Sequence, residues 1–431
     1  MVNLSGKRLL VLGGSRISCQ IVRKAQEMGI YVMVTDWYPV EKSPAKQIAD
    51  KAFTVSTADV DAIVKLIRDE KVDGVITGFT DSVLPYYAQI CKKAGLPCYG
   101  TEEQFDMFIN KRKYKALCKR FGVPTIDEYT LDDSLNPEDL GKIKYPVLVK
   151  PSDNSGARGI SICNNENELI NAYKKAKDFS QAGEILVERY ISGKEVTVFW
   201  LFKDGEAHLT GLGNRHVKHN QEGVIALPVG YTFPSIFLNN YIKNVEPKVK
   251  KMLNSVGIRD GMMFMQCLVE DGECVVYDIG YRLTGSLEYI LQEEIYGYNP
   301  LTLMIQYALT GKTLVKTNTS ELTPFWKKYA CNVSFLIKPG TIGEIHGLDK
   351  IKRNPKVIDA VLSHVEGDNL PESVIGTLRQ IVLRVFAVAD TKEELADLMD
   401  EIYNCLEVRS TQGENLLLEG LDTREIDALL I

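Results

Sequence analysis

The sequence has no run of about 20 consecutive apolar residues, so no helical membrane span is expected. Its nine cysteines contain no C-x-x-C pair, and its five histidines contain no H-E-x-x-H. Those gaps argue against a structural zinc site and exclude the helical metalloprotease site. An odd number of cysteines scattered from Cys19 to Cys405 suits a reducing, cytoplasmic compartment rather than a disulfide framework. His216 and His219 are the one close pair of histidines, and a structural role suits them better than metal binding. Positive charge is also short: 51 Lys and Arg against 57 Asp and Glu leave a net charge of −6. Nucleic acid is therefore not an expected partner, because nonspecific binding rests on cations that neutralise phosphates. The opening MVNLSGKRLLVLGG lacks the long apolar stretch and cleavage site of a signal peptide. No repeat and no low-complexity stretch is present.

What remains is the composition of a globular protein, with 45% apolar and 25% charged residues over 431 positions. That length supports two or three cores. Residues 7–100 alternate strand-like runs (KRLLVLG, IYVMVTD, DGVITG) with helical patterns near Ser18–Met28 and Asp59–Glu70, which predicts a parallel, doubly wound sheet. Gly13, Gly14 and Ser15 form its first strand-to-helix turn, and Asp36 ends the second strand. The full G-x-G-x-x-G is missing, so a tight turn without a dinucleotide is the favoured reading.

A second unit is expected from Thr101, opening with a helix that carries Asn110, Lys111 and Lys113 and stops at Gly122, Val123 and Pro124. KYPVLVKPS, the loop Ser152–Gly159, ISIC, a helix over Asn164–Lys177, EILVERYI and EVTVFWLF follow. A helix over Asn240–Val256, a hairpin over Met262–Arg282 around Asp271 and Gly272, and helices over Ser286–Tyr296 and Leu301–Leu309 complete it. From Thr323, the strands YACNVSFLI and LRVFAVA and the helix TKEELADLMDEIYNCL predict a separate α+β domain. The fold class is thus a multidomain α/β and α+β protein divided at 1–100, 101–320 (with a lid over about 120–185) and 321–431.

Between Lys150 and Gly159, K-P-S-D-N-S-G-A-R-G sets small residues between two strands, where backbone N–H groups can wrap phosphate oxygens and a lysine adds positive charge. It is not a Walker motif, and an ordinary hairpin loop is an equal reading. Glu188 and Glu195 flank a turn at Gly193, and a carboxylate there suits two ribose hydroxyls. Asp278, Gly280 and Arg282 alternate by two and so share one strand face. Gln266 lies opposite Asp278 only if the turn is odd in length or the hairpin is bulged; a strict two-residue turn would separate them. Paired, the two oxygen donors suit magnesium.

Taken in order, N-K-R-K-Y-K, Y-P-V-L-V-K, S-D-N-S-G-A-R-G, V-E-R-Y-I-S-G-K-E, M-Q-C-L and D-I-G-Y-R-L-T-G-S resemble the ATP-grasp superfamily. That superfamily includes biotin carboxylase, the carbamoyl phosphate synthetase large subunit, glycinamide ribonucleotide synthetase and L-amino acid ligases. The resemblance implies a Rossmann-like first domain and an ATP-grasp fold that takes ATP with Mg2+, or Mn2+ in its place. It implies that Lys111 and Lys150 hold ATP phosphates under a lid at Ser155, Gly156, Arg158 and Gly159. Adenine would meet Glu188 and the backbone of Tyr190 and Ile191, and ribose would meet Glu195. Gln266 and Asp278 would carry the metal, with Arg282, Lys150 and Arg158 at the reacting groups. Relatives show Glu, Glu, Asn where this chain has Gln266, Asp278 and Gly280, which puts a second metal ion in doubt.

The implied reaction is carboxylate activation to an acyl phosphate followed by amine attack, and K-P-G-T-I-G-E-I-H-G-L-D-K-I resembles the last domain of L-amino acid ligases. Bicarbonate activation, as in a carboxylase or carbamoyl phosphate synthetase, is the alternative within the class. A non-catalytic ATP-binding regulator and an NAD-dependent oxidoreductase are the alternatives outside it. The expected partners are small carboxylates and amines, with a homodimer as the default assembly. Arg215 and His216, in the stretch Asn214–Gly230, are candidates for substrate contact.

Overall fold

The computed structural model describes residues 3–153, 159–180, 182–218, 226–314 and 322–431, with the side chains of Glu425 and Asp427 left aside. The first unit comprises β1 (Arg8–Leu12), α1 (Cys19–Glu27), β2 (Tyr31–Thr35), α2 (Pro44–Ile48), β3 (Lys51–Phe53), α3 (Val60–Asp69), β4 (Gly74–Ile76) and α4 (Leu84–Ala94). Its strands pair in parallel in the order β3-β2-β1-β4. Leu9, Leu10, Val11, Val32, Met33 and Val34 are fully buried, because helices cover both faces of a parallel sheet. Gly14 N–H donates to Asp36 Oδ2 at 2.9 Å, Ser43 Oγ donates to the same oxygen at 2.7 Å, and Lys46 Nζ sits 2.7 Å from Oδ1. The carboxylate that would receive a ribose in a dinucleotide fold is therefore occupied by the chain itself. A side chain at Gly14 would meet Ser43 Oγ at 1.9 Å, so the turn is packed shut.

Two helices follow where the sequence predicts one: α5 (Glu102–Ile109) and α6 (Lys111–Phe121). Asn110 leaves the helical region at φ −80°, ψ 111°, and its side chain accepts from the N–H groups of Arg112 and Lys113. This cap competes with helix continuation and starts a fresh helix at Lys111.

A small unit holds β5 (Glu128–Tyr129), α7 (Pro137–Leu140), β6 (Val147–Pro151), β7 (Ser161–Cys163), α8 (Glu166–Lys177) and β8 (Ile185–Arg189), with sheet order β5-β8-β6-β7. It has its own core around Leu131, Ile143, Val147, Leu169, Tyr173 and Val187.

The rest is β9 (Lys194–Lys203), β10 (Glu206–Lys218), β11 (Leu227–Phe233), α9 (Leu238–Asn244), α10 (Glu246–Val256), β12 (Gly261–Glu270), β13 (Glu273–Gly280), α11 (Tyr289–Tyr296), α12 (Pro300–Thr310) and β14 (Tyr329–Leu336). Then come β15 (Gly340–His346), α13 (Leu348–Arg353), β16 (Val357–Leu362), β17 (Asn369–Leu370), β18 (Ile381–Ala389), α14 (Lys392–Cys405) and β19 (Glu407–Ser410). The helix expected over Asn240–Val256 is divided into α9 and α10, because Pro247 has no N–H to continue the ladder and sits in the first turn of a new helix. Eight strands form one sheet in the order β13-β12-β9-β10-β11-β14-β18-β16. Pairing of β11 with β14, Tyr231 opposite Asn332, carries this sheet across position 321 into the C-terminal strands. The C-terminal elements keep a core of their own around Val333, Phe335, Val385, Leu395 and Met399. Among the described residues, no helix is long and apolar enough to cross a membrane.

Candidate active site

The hairpin of β12 and β13 turns through Asp271 (φ 49°) and Gly272 (φ 81°), a two-residue turn of the kind that matches strand twist. Glu270 faces Glu273 and Cys267 faces Val276, a register that alone would set Tyr277 against Gln266. A shift between Gln266 and Cys267 instead brings Asp278 opposite Gln266. The bulge lets Tyr277 and Asp278 share one partner, and it meets the condition on which the metal-pair reading depends.

The Asp278 side chain makes no ion pair or hydrogen bond among the described residues. Burial pushes its carboxyl up, and Asp81 adds to that, while Lys111, Lys150 and Arg282 pull it down. An unpartnered carboxylate beside an amide oxygen and ringed by cations is the donor set of a hard divalent cation that also takes phosphate oxygens. Among the described residues no group of three or more His, Cys, Asp or Glu side chains could hold a metal ion. Gly280, where the resemblance implies an Asn, lies under the ring of Phe264: a Cβ there would meet Cε1 at 2.3 Å. The third ligand position is closed by an aromatic ring.

Lys150, the penultimate residue of β6, is 4% exposed, with Nζ 2.7 Å from Glu188 Oε2; Lys115 Nζ is 2.6 Å from Glu188 Oε1. Burial would raise Glu188, but the two lysines outweigh it and hold the carboxyl low. Lys150 is nonetheless pushed down, first by burial, with Glu188 opposing and Lys111 and Lys115 adding like charge. Both directions hold together because one glutamate is shared by several lysines. Lys115 also pairs with Glu128 at 3.4 Å, and a polyphosphate beside Lys150 would add negative charge to the one carboxylate that the two lysines share. Both Glu188 oxygens are engaged, so an adenine at this place would meet backbone and apolar groups first. Tyr190 and Ile191 form the link from β8 to β9, with Tyr190 N–H donating to Pro146 O at 3.2 Å. Ile191 packs with Ile126, Val275, Leu268 and Tyr277, an apolar slot between the small unit and the large sheet.

Glu195 Oε2 binds Arg215 Nη1 and accepts from Tyr277 OH at 2.8 Å. Arg215 therefore stands on β10 in an ion pair rather than in a loop. His216 is buried on the same strand, its Nε2 2.8 Å from Thr232 Oγ1, and burial, followed by Lys194, lowers it to about 4. Burial and the Thr232 partner suit a structural histidine. Gly159 adopts φ 76° between Pro151 and Phe179, a backbone state that needs glycine. Ser155, Gly156, Arg158 and His219 lie outside the described residues.

Arg282 is held by Asp81, which no motif marks. Its Nε and Nη2 donate to Asp81 Oδ1 and Oδ2 at 2.6 and 2.7 Å, and its guanidinium lies 5.1 Å from the Phe264 ring centre. Asp81 follows a γ-turn at Phe79 (φ 59°), with Thr80 N–H bonded to Gly78 O at 2.7 Å. Only the tertiary fold brings positions 81 and 282 together; T-G-F-T-D-S itself is an unremarked turn.

Residues 143–287 match the family described as ATP-grasp domain. The chain carries an ATP-grasp domain. The matched span holds Lys150, Glu188, Glu195, Gln266, Asp278 and Arg282, whereas Lys111 and Asp81 precede it. In sequence the chain is 26% identical, over 72% of its length, to a carbamoyl phosphate synthase large chain of Clostridium beijerinckii, of which it covers 30%. It spans less than two thirds of the length of the first curated relatives it matches. In structure it resembles an L-amino acid ligase from Bacillus licheniformis, with a TM-score of 0.76 at 19% identity, covering 94% of this chain and 99% of that one. The biotin carboxylase domain dimer of Hydrogenobacter thermophilus 2-oxoglutarate carboxylase, in complex with MgADP, ADP and bicarbonate, gives a TM-score of 0.76 at 19% identity, covering 95% and 91%. These structural likenesses show the fold of the ATP-grasp domain and its flanking units.

Proposed function

We propose that this ATP-grasp chain is an ADP-forming carboxylate–amine ligase. The observation that carries the reading is the unpartnered Asp278 opposite Gln266, within the field of Lys111, Lys150 and Arg282. Lys111 and Lys150 would hold the ATP phosphates, and Gln266 with Asp278 would hold Mg2+. The bound cation supplies charge neutralisation of the phosphates. A carboxylate oxygen of the substrate bonds to the γ-phosphorus as the bond to ADP breaks, with the lysines offsetting charge in flight. An amine nitrogen then attacks the acyl carbon, the carbonyl reforms as phosphate departs with the bridging oxygen, and the nitrogen's extra proton goes to the departing phosphate or to solvent. Arg282, fixed by Asp81, faces the acyl oxygen during this step.

The test is release of ADP and phosphate by the purified protein with Mg-ATP, over a panel of carboxylates with and without amines and with bicarbonate. Turnover that needs both a carboxylate and an amine, and that falls by at least about a hundredfold in Asp278→Asn, supports the ligase. Turnover on bicarbonate alone moves the reading to a carboxylase, and tight ATP binding without turnover moves it to a regulator.

A further inference from the structure

One face of the eight-stranded sheet carries a polar row that continues well past the metal pair. Gln266 faces Thr197, and Thr197 faces Gly213. Two residues on, Arg215 faces Tyr231, and Tyr231 faces Asn332. Two residues further, Ser334 faces Arg384. Because side chains alternate, all of these lie on the face that holds Gln266. Arg384 is the one charged residue in β18, Ile381–Ala389, a strand otherwise apolar and buried throughout.

At this end of the row several buried polar atoms lack partners. Arg384 Nε, Glu288 Oε1, Asn332 Oδ1 and Ser334 Oγ have no hydrogen-bond partner among the described residues. The four residues are 8%, 1%, 0% and 1% exposed. Arg384 makes no ion pair within 4.0 Å among the described residues, and an unpaired buried guanidinium is costly unless something else completes it. Burial pushes Arg384 down and Glu288 up, opposed at Glu288 by hydrogen bonds from Ser286 and Thr284 and at both by their attraction for each other.

The cluster adjoins the candidate active site. Asn332 Nδ2 donates to Ser286 O at 2.5 Å, Thr284 Oγ1 bonds Glu288 Oε2, and both anchors lie within six residues of Arg282. Between them Leu287, fully buried, holds φ 66°, a conformation unfavourable for a branched side chain and one that persists only where its surroundings enforce it. The free groups are complementary in kind. Arg384 offers N–H donors to an anion, while Glu288 Oε1 and Asn332 Oδ1 accept from a donor such as an ammonium.

We propose that Arg384, Glu288, Asn332 and Ser334 form the subsite of the amine-bearing co-substrate, and that this co-substrate is an amino acid whose own carboxylate is anchored by Arg384. The proposal rests on the carboxylate–amine ligase reading of the neighbouring site. A simple amine would leave the buried guanidinium with only the opposite charge of Glu288, which lies beyond ion-pair distance and would be shared with the ammonium, so the subsite discriminates by the carboxylate.

The test is binding, measured by calorimetry on the protein loaded with MgADP. The probes are the proteinogenic L-amino acids and the amines formed from them by decarboxylation, such as L-alanine with ethylamine and L-histidine with histamine. At least one amino acid is expected to bind, its decarboxylated amine to bind at least about tenfold more weakly, and Arg384→Gln to erase that difference while MgADP affinity stays the same. Should Arg384→Gln fail to fold, Arg384→Lys is expected to retain part of the preference, and Glu288→Gln to weaken amino acid and amine alike. An amine that binds as tightly as its amino acid, an Arg384→Gln protein with undiminished affinity, or no amino acid bound at all overturns the proposal. Arg384-dependent amino acid binding without carboxylate-dependent ADP release keeps the subsite and removes the ligase reading. Ligase turnover on simple amines, unaffected at Arg384, does the reverse.

Discussion

Single residues decide more here than motifs do. The glutamate expected at adenine, Glu188, is a buried hub for Lys115 and Lys150, which a linear sequence cannot reveal because the three residues lie on α6, β6 and β8. The chain's departure at Gly280 was legible as a missing ligand; that the ring of Phe264 fills the place was not. His216 carries a pH consequence. Its folded pKa of about 4 lies below the ordinary histidine value, so the unfolded chain takes up a proton first as pH falls. Stability from this residue is complete above the unfolded pKa and is lost as pH drops toward the folded one, by about 3 kcal/mol in all. The urea midpoint of His216→Gln is expected to change less between pH 7 and pH 4.5 than that of the wild type; equal slopes would remove His216 as a source of acid lability.

At the scale of elements, the alternation of strands and helices in the first hundred residues was readable because a parallel sheet buries continuous apolar runs. The hairpin was readable up to a condition: the D-G turn was plain, but the bulge that sets Asp278 against Gln266 lies within the β12–β13 ladder, away from the turn residues that mark the hairpin. Helix breaks were missed at Asn110 and at Val245, in each case where a local cap or a proline overrode a continuous apolar pattern. The break at Asn110 has a function in this account, since it starts α6 at Lys111. Asn110→Ala is expected to lower stability by about 1 kcal/mol and to raise the KM for ATP, while Asn110→Asp preserves both. Thermal melts and ATP saturation curves check this; an unchanged KM in Asn110→Ala would separate the cap from phosphate binding.

Over the whole molecule, the large sheet joins the ATP-grasp strands to the C-terminal strands, and the pair of Asp81 with Arg282 joins the first unit to the same site. Neither junction was visible beforehand, because strand order and long-range ion pairs depend on how units dock rather than on local pattern. Asp81 is a positioning residue in this account: it aims Arg282 without touching substrate. Asp81→Asn is expected to lower kcat with little change in the KM for ATP, and adding Arg282→Gln is expected to cost little more, because the two act as a unit. Additive losses in the double variant would show that they act apart.

The account stands or falls on the route taken by the carboxylate. Substrate labelled with 18O in its carboxylate, turned over with Mg-ATP and an amine, is predicted to deliver one labelled oxygen to the released phosphate, because the oxygen that attacked the γ-phosphorus leaves with it. Phosphate whose fourth oxygen comes from water, with no label from the carboxylate, would contradict the acyl phosphate and, with it, the proposed ligase.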